Sequence, residues 1–185
     1  MKTRQAVFDA MAELLKEKDF ESISVTDLLK QSKVSRSTFY SHFSKKEDVI
    51  KELCDELFNH VFSPNLKKER GHDFSSYSLF DYEHLLTHFL FHIQEDAKLI
   101  KAISSSSASM MFDEALKEKL APLFTACVKS KTIYRSGMDE DLQAHLFTES
   151  FIALLHYWIQ RDCLTSPVEI AQIFSSFAAD STYNK

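Results

Sequence analysis

The sequence predicts an all-α protein. Only two glycines and three prolines occur in 185 residues. Helix interiors disfavour both residue types, whereas turn-rich β folds require them. Apolar residues make up 44% of the chain, and they recur at spacings of three and four residues, the period of an amphipathic helix. We therefore expect helices throughout, with enough apolar side chains to form a substantial core.

Four helices are predicted in the first 62 residues. Thr3 can cap a helix that runs to about Lys18. The segment Ser24–Asp27 has the form of a capping box, with Asp in place of the usual Glu, and it opens a short second helix. Ser35 caps a short third helix, and Ser44 caps a longer fourth helix that covers residues 45–62.

A linker and a second helical domain are predicted to follow. Residues 63–77 break the helical period, because they contain a glycine, a proline and several charges. Helical patterns then cover about 79–94, 96–103, 110–131, 139–162 and 166–180. We expect a head at residues 1–62, a linker at 63–77 and a C-terminal domain at 78–185.

Charge is unevenly distributed along the chain, whose net charge is −5. Residues 30–46 contain five lysines and arginines and no acidic residue. Residues 51–185, in contrast, contain 19 acidic and 13 basic side chains. DNA phosphates are neutralised by local positive charge and do not require a basic whole chain. A short basic helix in an acidic protein therefore indicates contact with DNA.

The two short helices and their tight turn have the pattern of a helix-turn-helix, whose second helix lies in the major groove. Arg36 can bond both acceptors of a guanine, and Thr38 can touch a thymine methyl group. Tyr40, His42 and the following lysines are better placed for phosphates. The predicted DNA-contacting residues are Ser24, Thr26, Ser35, Arg36, Ser37, Thr38, Tyr40, Ser41, His42, Lys45 and Lys46.

Residues 3–57 resemble the TetR family of regulators (TetR/AcrR-type). The matching motifs are S/T-V-x-D-L at Ser24–Leu28 and V-S-x-x-T-F-Y-x-H-F-x-x-K-E at Val34–Glu47. The family usually has glycine at the position of Asp19 and often at that of Ser37. We expect Asp19 to tolerate a left-handed turn, and Ser37 to change which base edge is reached. The resemblance implies that the second domain contains a pocket for a small-molecule effector. It also implies DNA contacts for residues that match the family's positions: Thr26, Arg36, Ser37, Thr38, Tyr40, His42 and Lys46.

The residues that line such a pocket carry no diagnostic motif. Aromatic and methionine side chains suit an apolar cavity, although each aromatic residue is more simply explained by core packing. The candidates are His88, Phe89, His92, Met110, Met111, Phe112, Phe124, Cys127, Phe151 and Trp158.

A homodimer is predicted from the segment Phe151–Ile159, which is apolar around the whole helix. A surface helix is apolar along one stripe only, so the additional face requires a partner. We predict a two-fold dimer in which residues 139–162 and 166–180 of each subunit form a four-helix bundle. The candidate interface residues are Phe147, Ile152, Leu155, Ile159, Ile170, Phe174 and Phe177.

Three histidines, His84, His88 and His92, follow one another at a spacing of four residues on one helix face. Successive imidazoles at this spacing can bind a transition metal. Spacing alone does not make a site, so we expect a polar or partly buried stripe without metal and keep metal as the alternative. No cofactor is expected.

Other classes of protein are disfavoured. The chain contains no G-x-S-x-G, P-loop, dinucleotide or H-E-x-x-H motif, so we expect no enzyme. Its longest apolar run is too short to span a membrane. Three isolated cysteines indicate reduced core residues in the cytoplasm.

We predict a ligand-responsive repressor that binds a palindromic double-stranded DNA operator and is released by a small molecule. The alternative is a TetR-like co-activator or helical adaptor that acts through a protein partner.

Overall fold

The computed structural model describes residues 2–61 and 82–178, and every regular element in those two ranges is helical. The predicted all-α fold class is confirmed. The predicted linker at 63–77 lies outside the described residues. The elements are α1 (Lys2–Glu17), a 3-10 helix (Phe20–Ser22), α2 (Val25–Ser32), α3 (Arg36–Tyr40), α4 (Glu47–Val61), α5 (Tyr82–Glu95), α6 (Ala97–Ser104), α7 (Ser109–Lys129), α8 (Glu140–Gln160) and α9 (Pro167–Ala178).

Side-chain caps set the starts of the short helices. The predicted capping box of α2 is confirmed, because the Ser24 N–H donates to Asp27 Oδ2 at 2.9 Å and the Asp27 N–H donates to Ser24 Oγ at 3.1 Å. The predicted cap of α4 is wrong, since this helix begins at Glu47 and not directly after Ser44. Asp48 reaches back instead and accepts the Ser44 N–H at 2.8 Å.

The described chain separates into two compact units, each of which combines two stretches of sequence. The first unit contains the described residues up to Glu56 together with Asp96–Ala115. The second contains the described residues from Leu57 to Glu95 and from Leu116 onward. Two long helices, α4 and α7, each contribute residues to both units.

The core of the first unit is built on α1, which packs against α2 and α6. Ile100 and Ile103 of α6 are buried there, as are Met11 of α1 and Phe20 of the 3-10 helix. Asp19 joins the two stretches, because its Oδ1 accepts the Ser107 N–H at 2.9 Å. Hydrogen bonds from Ser107, first from its side chain and then from its backbone N–H, lower the pKa of Asp19. The backbone of Asp19 is extended, with φ −67°, so the expected left-handed turn does not occur.

The core of the second unit is formed by α9, which packs against α5 and α8. Phe124, Phe151 and Phe174 make a three-way aromatic cluster, with ring centroids 5.0–5.8 Å apart. Burial raises the pKa of the Cys127 thiol in the same unit. Among the helices of residues 2–61 and 82–178, none combines the length and apolar content that a bilayer crossing requires.

Candidate nucleic-acid interface

A tight turn joins α2 to α3 and gives the helix-turn-helix its shape. Lys33 ends α2 in the left-handed conformation, with φ 57°, a common way for a helix to stop. Val34 follows with its side chain half-buried. Ser35 then takes an extended conformation and caps α3, because its Oγ accepts the Thr38 N–H at 3.1 Å.

The hydroxyl groups around α3 are largely engaged with one another. Ser35 Oγ lies 2.7 Å from Thr38 Oγ1, and Ser41 Oγ donates to the Thr38 carbonyl at 2.7 Å. Ser24 is similarly committed to Asp27 in the capping box of α2. These predicted contact residues therefore stabilise the two helices, so contact with DNA would require them to share or exchange their present hydrogen bonds.

The orientation of α3 is fixed by Phe39, which is 0% exposed. The Phe39 ring lies 5.1 Å from the Phe43 ring and meets Tyr40 edge to face at 5.5 Å. Because Phe39 is directed into the core, Arg36 and Ser37 are exposed, and Tyr40 is 47% exposed. The outward face of α3 thus presents a guanidinium, a hydroxyl and a phenol.

The two lysines after α3 have different environments. Lys46 Nζ donates to the carbonyls of Phe20 at 2.8 Å and Glu21 at 3.1 Å, and it lies 4.5 Å from the centroid of the Phe20 ring. An ammonium has three N–H donors, so one remains for another partner. Lys45 is exposed, and its side chain forms no hydrogen bond or ion pair with any residue in the described ranges.

The acidic residue of α2 is neutralised inside the first unit. Asp27 Oδ2 lies 2.8 Å from Lys18 Nζ. The hydrogen bond from Lys18, followed by those from Ser24, holds the pKa of Asp27 well below its usual value. The cations of residues 30–46 form no ion pair with the parts of the chain that the structure describes. The helix-turn-helix therefore presents unopposed positive charge together with hydrogen-bond donors.

Two family profiles match this chain. The profile described as "Bacterial regulatory proteins, tetR family" matches residues 7–53, which include α2, α3 and the start of α4. The profile described as "Transcriptional regulator C-terminal region" matches residues 81–180, more than half of the chain. The chain belongs to the TetR family of transcriptional regulators. It is thus a DNA-binding regulator by family, as the sequence resemblance predicted.

Three proteins show what this TetR-family regulator is similar to. The uncharacterized regulator YxbF of Bacillus subtilis is 33% identical over 73 residues, which are 35% of this chain and 19% of YxbF. IcaR of Staphylococcus epidermidis, a negative regulator of the biofilm operon icaADBC, is 21% identical to this chain. The alignment covers 98% of this chain and 95% of IcaR. A TetR regulator structure from Streptococcus agalactiae is 27% identical, covers 96% of this chain and 94% of its own, and has a TM-score of 0.62.

The predicted pocket residues of the TetR-family regulator are divided between the two units. His88, Phe89, Phe124, Cys127, Phe151 and Trp158 are buried in the second unit, where His92 is half-buried. Met110, Met111 and Phe112 belong to the first unit, and Met110 is 71% exposed. The sequence could not separate these groups, because α7 is one continuous helix that contributes to both units.

The predicted dimer residues are mostly buried within the protomer. Phe147, Ile152, Leu155, Ile159, Ile170 and Phe174 are buried among described residues, whereas Phe177 is 49% exposed. Other large apolar side chains on α8 and α9 are exposed instead: Leu142, Leu146, Tyr157, Val168 and Ile173. Because α8 is apolar on several sides, its sequence period did not identify the side that faces the core.

One cluster of side chains escaped the sequence analysis. His60 of α4 lies beside His88 and His92 of α5, and one ring nitrogen from each lies within 4.8 Å of the others. His84, the third member of the predicted stripe, is not part of this group. No spacing rule connects His60 with residues 28 and 32 positions later in the chain.

Proposed function

We propose that this TetR-family regulator is a ligand-responsive repressor, which binds a palindromic operator as a homodimer and leaves it when a small molecule binds. The observation that carries this proposal is the outward face of α3. Phe39 anchors that helix from behind, and Arg36, Ser37 and Tyr40 are exposed. These three residues lie within residues 30–46, a segment with five lysines and arginines and no acidic residue.

Arg36 is the residue that we assign to base reading. Its guanidinium is exposed near the N-terminus of α3, and recognition helices contact base edges with their N-terminal residues. The planar guanidinium can bond guanine O6 and N7 together. Lys45 and His42 are exposed just beyond the helix and are assigned to phosphates, which set position without reading sequence.

A homodimer is proposed because one short helix can read only a few base pairs. The exposed apolar residues of α8 and α9 support it, and α8 and α9 contact each other within the protomer. We therefore revise the proposed interface from the buried residues to Leu142, Leu146, Tyr157, Ile173 and Phe177. Two-fold symmetry would place two copies of α3 on half-sites about 34–36 Å apart.

Repression is supported by IcaR, whose name describes a negative regulator and whose alignment covers 98% of this chain. Release by a ligand would be a shift between two states of the dimer with different separations of the α3 helices. A coupling free energy of about 1–3 kcal/mol would change operator affinity roughly 5–150-fold. We propose that α4 and α5 transmit this shift.

The test begins with a duplex that the wild-type protein selects from a random DNA pool. Arg36→Ala should weaken binding to this duplex by about 1–3 kcal/mol and relax specificity at the guanine it contacts. Lys45→Ala should weaken binding equally for all sequences and reduce the salt dependence by about one phosphate contact. Fluorescence anisotropy at several salt concentrations measures both effects.

Lys129→Ala is the matched control, because Lys129 is an exposed lysine on α7 in the second unit. It should leave affinity, specificity and salt dependence unchanged. If Arg36→Ala binds and discriminates like the wild type, α3 does not read the operator. Failure of the wild type to select any duplex would favour an adaptor that acts through a protein partner.

A further inference from the structure

A group of three histidines joins the end of α4 to α5 within the second unit. His60 lies in the last turn of α4, and His88 and His92 lie one turn apart on α5. We propose that these three imidazoles bind a divalent transition-metal ion, with Zn²⁺ as the ion that fits best. The site requires His60, so it differs from the stripe of histidines that the sequence of α5 displays.

The spacing of the ring nitrogens is close to that of a chelate. His88 Nε2 and His92 Nε2 lie 3.0 Å apart. Two nitrogens bound tetrahedrally to zinc at 2.0–2.1 Å would lie about 3.3 Å from each other. The His60 ring centroid lies 4.5 Å from that of His92 and 5.3 Å from that of His88. With the three nitrogens within 4.8 Å of one another, a rotation of His60 would complete the set.

Glu95 supplies the support that metal-binding histidines usually have. Its Oε2 lies 2.8 Å from His92 Nδ1. A carboxylate in this position accepts a hydrogen bond from Nδ1–H, so the proton stays on Nδ1 and the Nε2 lone pair of the same ring is available to a metal ion. In His92 that nitrogen is the one that meets His88. Glu95 is therefore a positioning residue for the proposed site.

The surroundings of the cluster hold it in place. His88 is 2% exposed, and His60 and His92 are half-buried. Phe58 of α4 and Phe89 of α5 pack beside the histidines, with ring centroids 4.9 Å apart. This contact fixes the two helices next to each other before any ion binds. Partial exposure of His60 and His92 leaves a route by which an ion can enter.

The donor set selects the class of ion. Three imidazoles suit Zn²⁺, Cu²⁺ and Ni²⁺, whereas Mg²⁺ and Ca²⁺ prefer oxygen ligands. Three protein ligands leave a fourth tetrahedral position for water or for a small molecule. Zn²⁺ has no spectrum of its own in visible light, so Co²⁺ is the probe, because tetrahedral Co²⁺ absorbs there.

The site would also bear on regulation, a point that rests on the proposed function. α4 starts at Glu47, shortly after the recognition helix ends at Tyr40. His60 is near the other end of α4, and its partners lie on α5. An ion that fixes this end of α4 to α5 would therefore act on the same two helices that we propose transmit the effect of ligand binding to the DNA-reading helix.

The experiment uses the full chain, purified without a polyhistidine tag. Titration with Co²⁺ should produce visible absorption bands that saturate at one ion per protomer, and Zn²⁺ should displace them. His60→Gln and His92→Gln should each abolish the bands or weaken binding at least 100-fold. Glu95→Gln should weaken binding about 10–100-fold. Circular dichroism confirms that each variant is folded.

Two histidine variants serve as controls. His84→Gln changes the neighbouring histidine of α5 that lies outside the cluster, and His145→Gln changes an exposed histidine on α8. Both should bind Co²⁺ like the wild type. Absence of bands in the wild type at micromolar protein would overturn the proposal, as would wild-type binding by His60→Gln. Loss of binding in His84→Gln would also overturn it and assign the ion to the stripe on α5.

Regulation is measured separately, as operator affinity with and without Zn²⁺ in the wild type and in His60→Gln. Zn²⁺ should change the affinity of the wild type about 5–150-fold and leave that of His60→Gln unchanged. The Co²⁺ spectrum needs no DNA, so failure to find an operator leaves the metal result intact. Equally, a protein that binds its operator but no Co²⁺ would retain the proposed function and lose only this site.

Discussion

Lys45 and Lys46 show how the same side chain takes two roles at adjacent positions. Lys46 donates to two backbone carbonyls and lies over the Phe20 ring. It thereby holds the start of α4 against the 3-10 helix. Lys45 makes no such contact with the described residues. The sequence predicts phosphate contacts for both lysines, because the partners of Lys46 lie more than 20 positions away in the chain and leave no local signal.

We expect Lys46→Ala to lower both thermal stability and operator affinity, because the ammonium stabilises the first unit and retains one donor for a phosphate. Lys45→Ala should lower affinity only. For a chain of this size each kcal/mol lost shifts Tm by about 2–4 °C, which a circular dichroism melt resolves. Equal Tm values for the two variants would show that the contacts of Lys46 contribute little to folding.

The helices could be predicted from the sequence because the features that define them, caps and apolar periods, lie within the helices or next to them. The caps at Ser24 and Ser35 and the apolar period of α1 lie within a few residues of the elements they define. The inward side of α8 was not accessible, because Phe151 is buried while Leu146 and Tyr157 are exposed on the same apolar helix. That distinction depends on where α9 lies, which the period of α8 does not encode.

The cap of α2 should make stability depend on pH in the acidic range. The pKa of Asp27 is lowered, first by Lys18 and then by Ser24. The carboxylate of Asp27 therefore contributes fully to the free energy of unfolding above its unfolded pKa of about 3.9. This contribution is lost as pH falls towards the lower pKa of the folded state. Asp27→Asn should have a lower Tm than the wild type at pH 7, and the difference should shrink below about pH 4.

Thermal melts at a series of pH values measure this difference. Glu114→Gln is the control, because Glu114 is an exposed carboxylate on α7 in the same unit. It should leave Tm close to that of the wild type at every pH. A gap between wild type and Asp27→Asn that stays constant down to pH 3 would contradict the assignment to the Asp27 carboxylate.

At the scale of the whole molecule, a site could be predicted when its residues are neighbours in the sequence, and not when helix packing brings them together. The residues of α3 and its flanks follow one another in the chain, so their types and order predicted the helix that we propose reads DNA. The cluster of His60 with His88 and His92 depends on the packing of α4 beside α5. Burial of the expected dimer residues likewise depends on the packing of the second unit.

The proposed homodimer rests on the exposed apolar side chains of α8 and α9. Leu146→Glu and Phe177→Glu should convert the proposed dimer to a monomer, because each places a charge in an interface that excludes water. Both residues are exposed in the protomer, so folding should be retained. Light scattering coupled to gel filtration at micromolar concentration measures the molecular mass. Both variants should also bind the operator more weakly than the wild type.

Met110→Glu makes the same change at an exposed apolar residue on α7, in the first unit. This control should keep the mass and the operator affinity of the wild type. A wild-type monomer at micromolar concentration, or an unchanged mass for both interface variants, would remove α8 and α9 as the dimer surface.

The assembly of the first unit from two separated stretches has a consequence for synthesis on the ribosome. α1 completes its packing only when α6 arrives, and Asp19 gains its hydrogen bond only when Ser107 arrives. At about 5–20 residues per second, the chain from Glu56 to Ala115 takes roughly 3–12 s to make. During that interval the nascent DNA-binding unit exposes apolar surface on α1. Chaperone capture of stalled chains should therefore be strong at residue 60 and decline once residue 115 has left the exit tunnel.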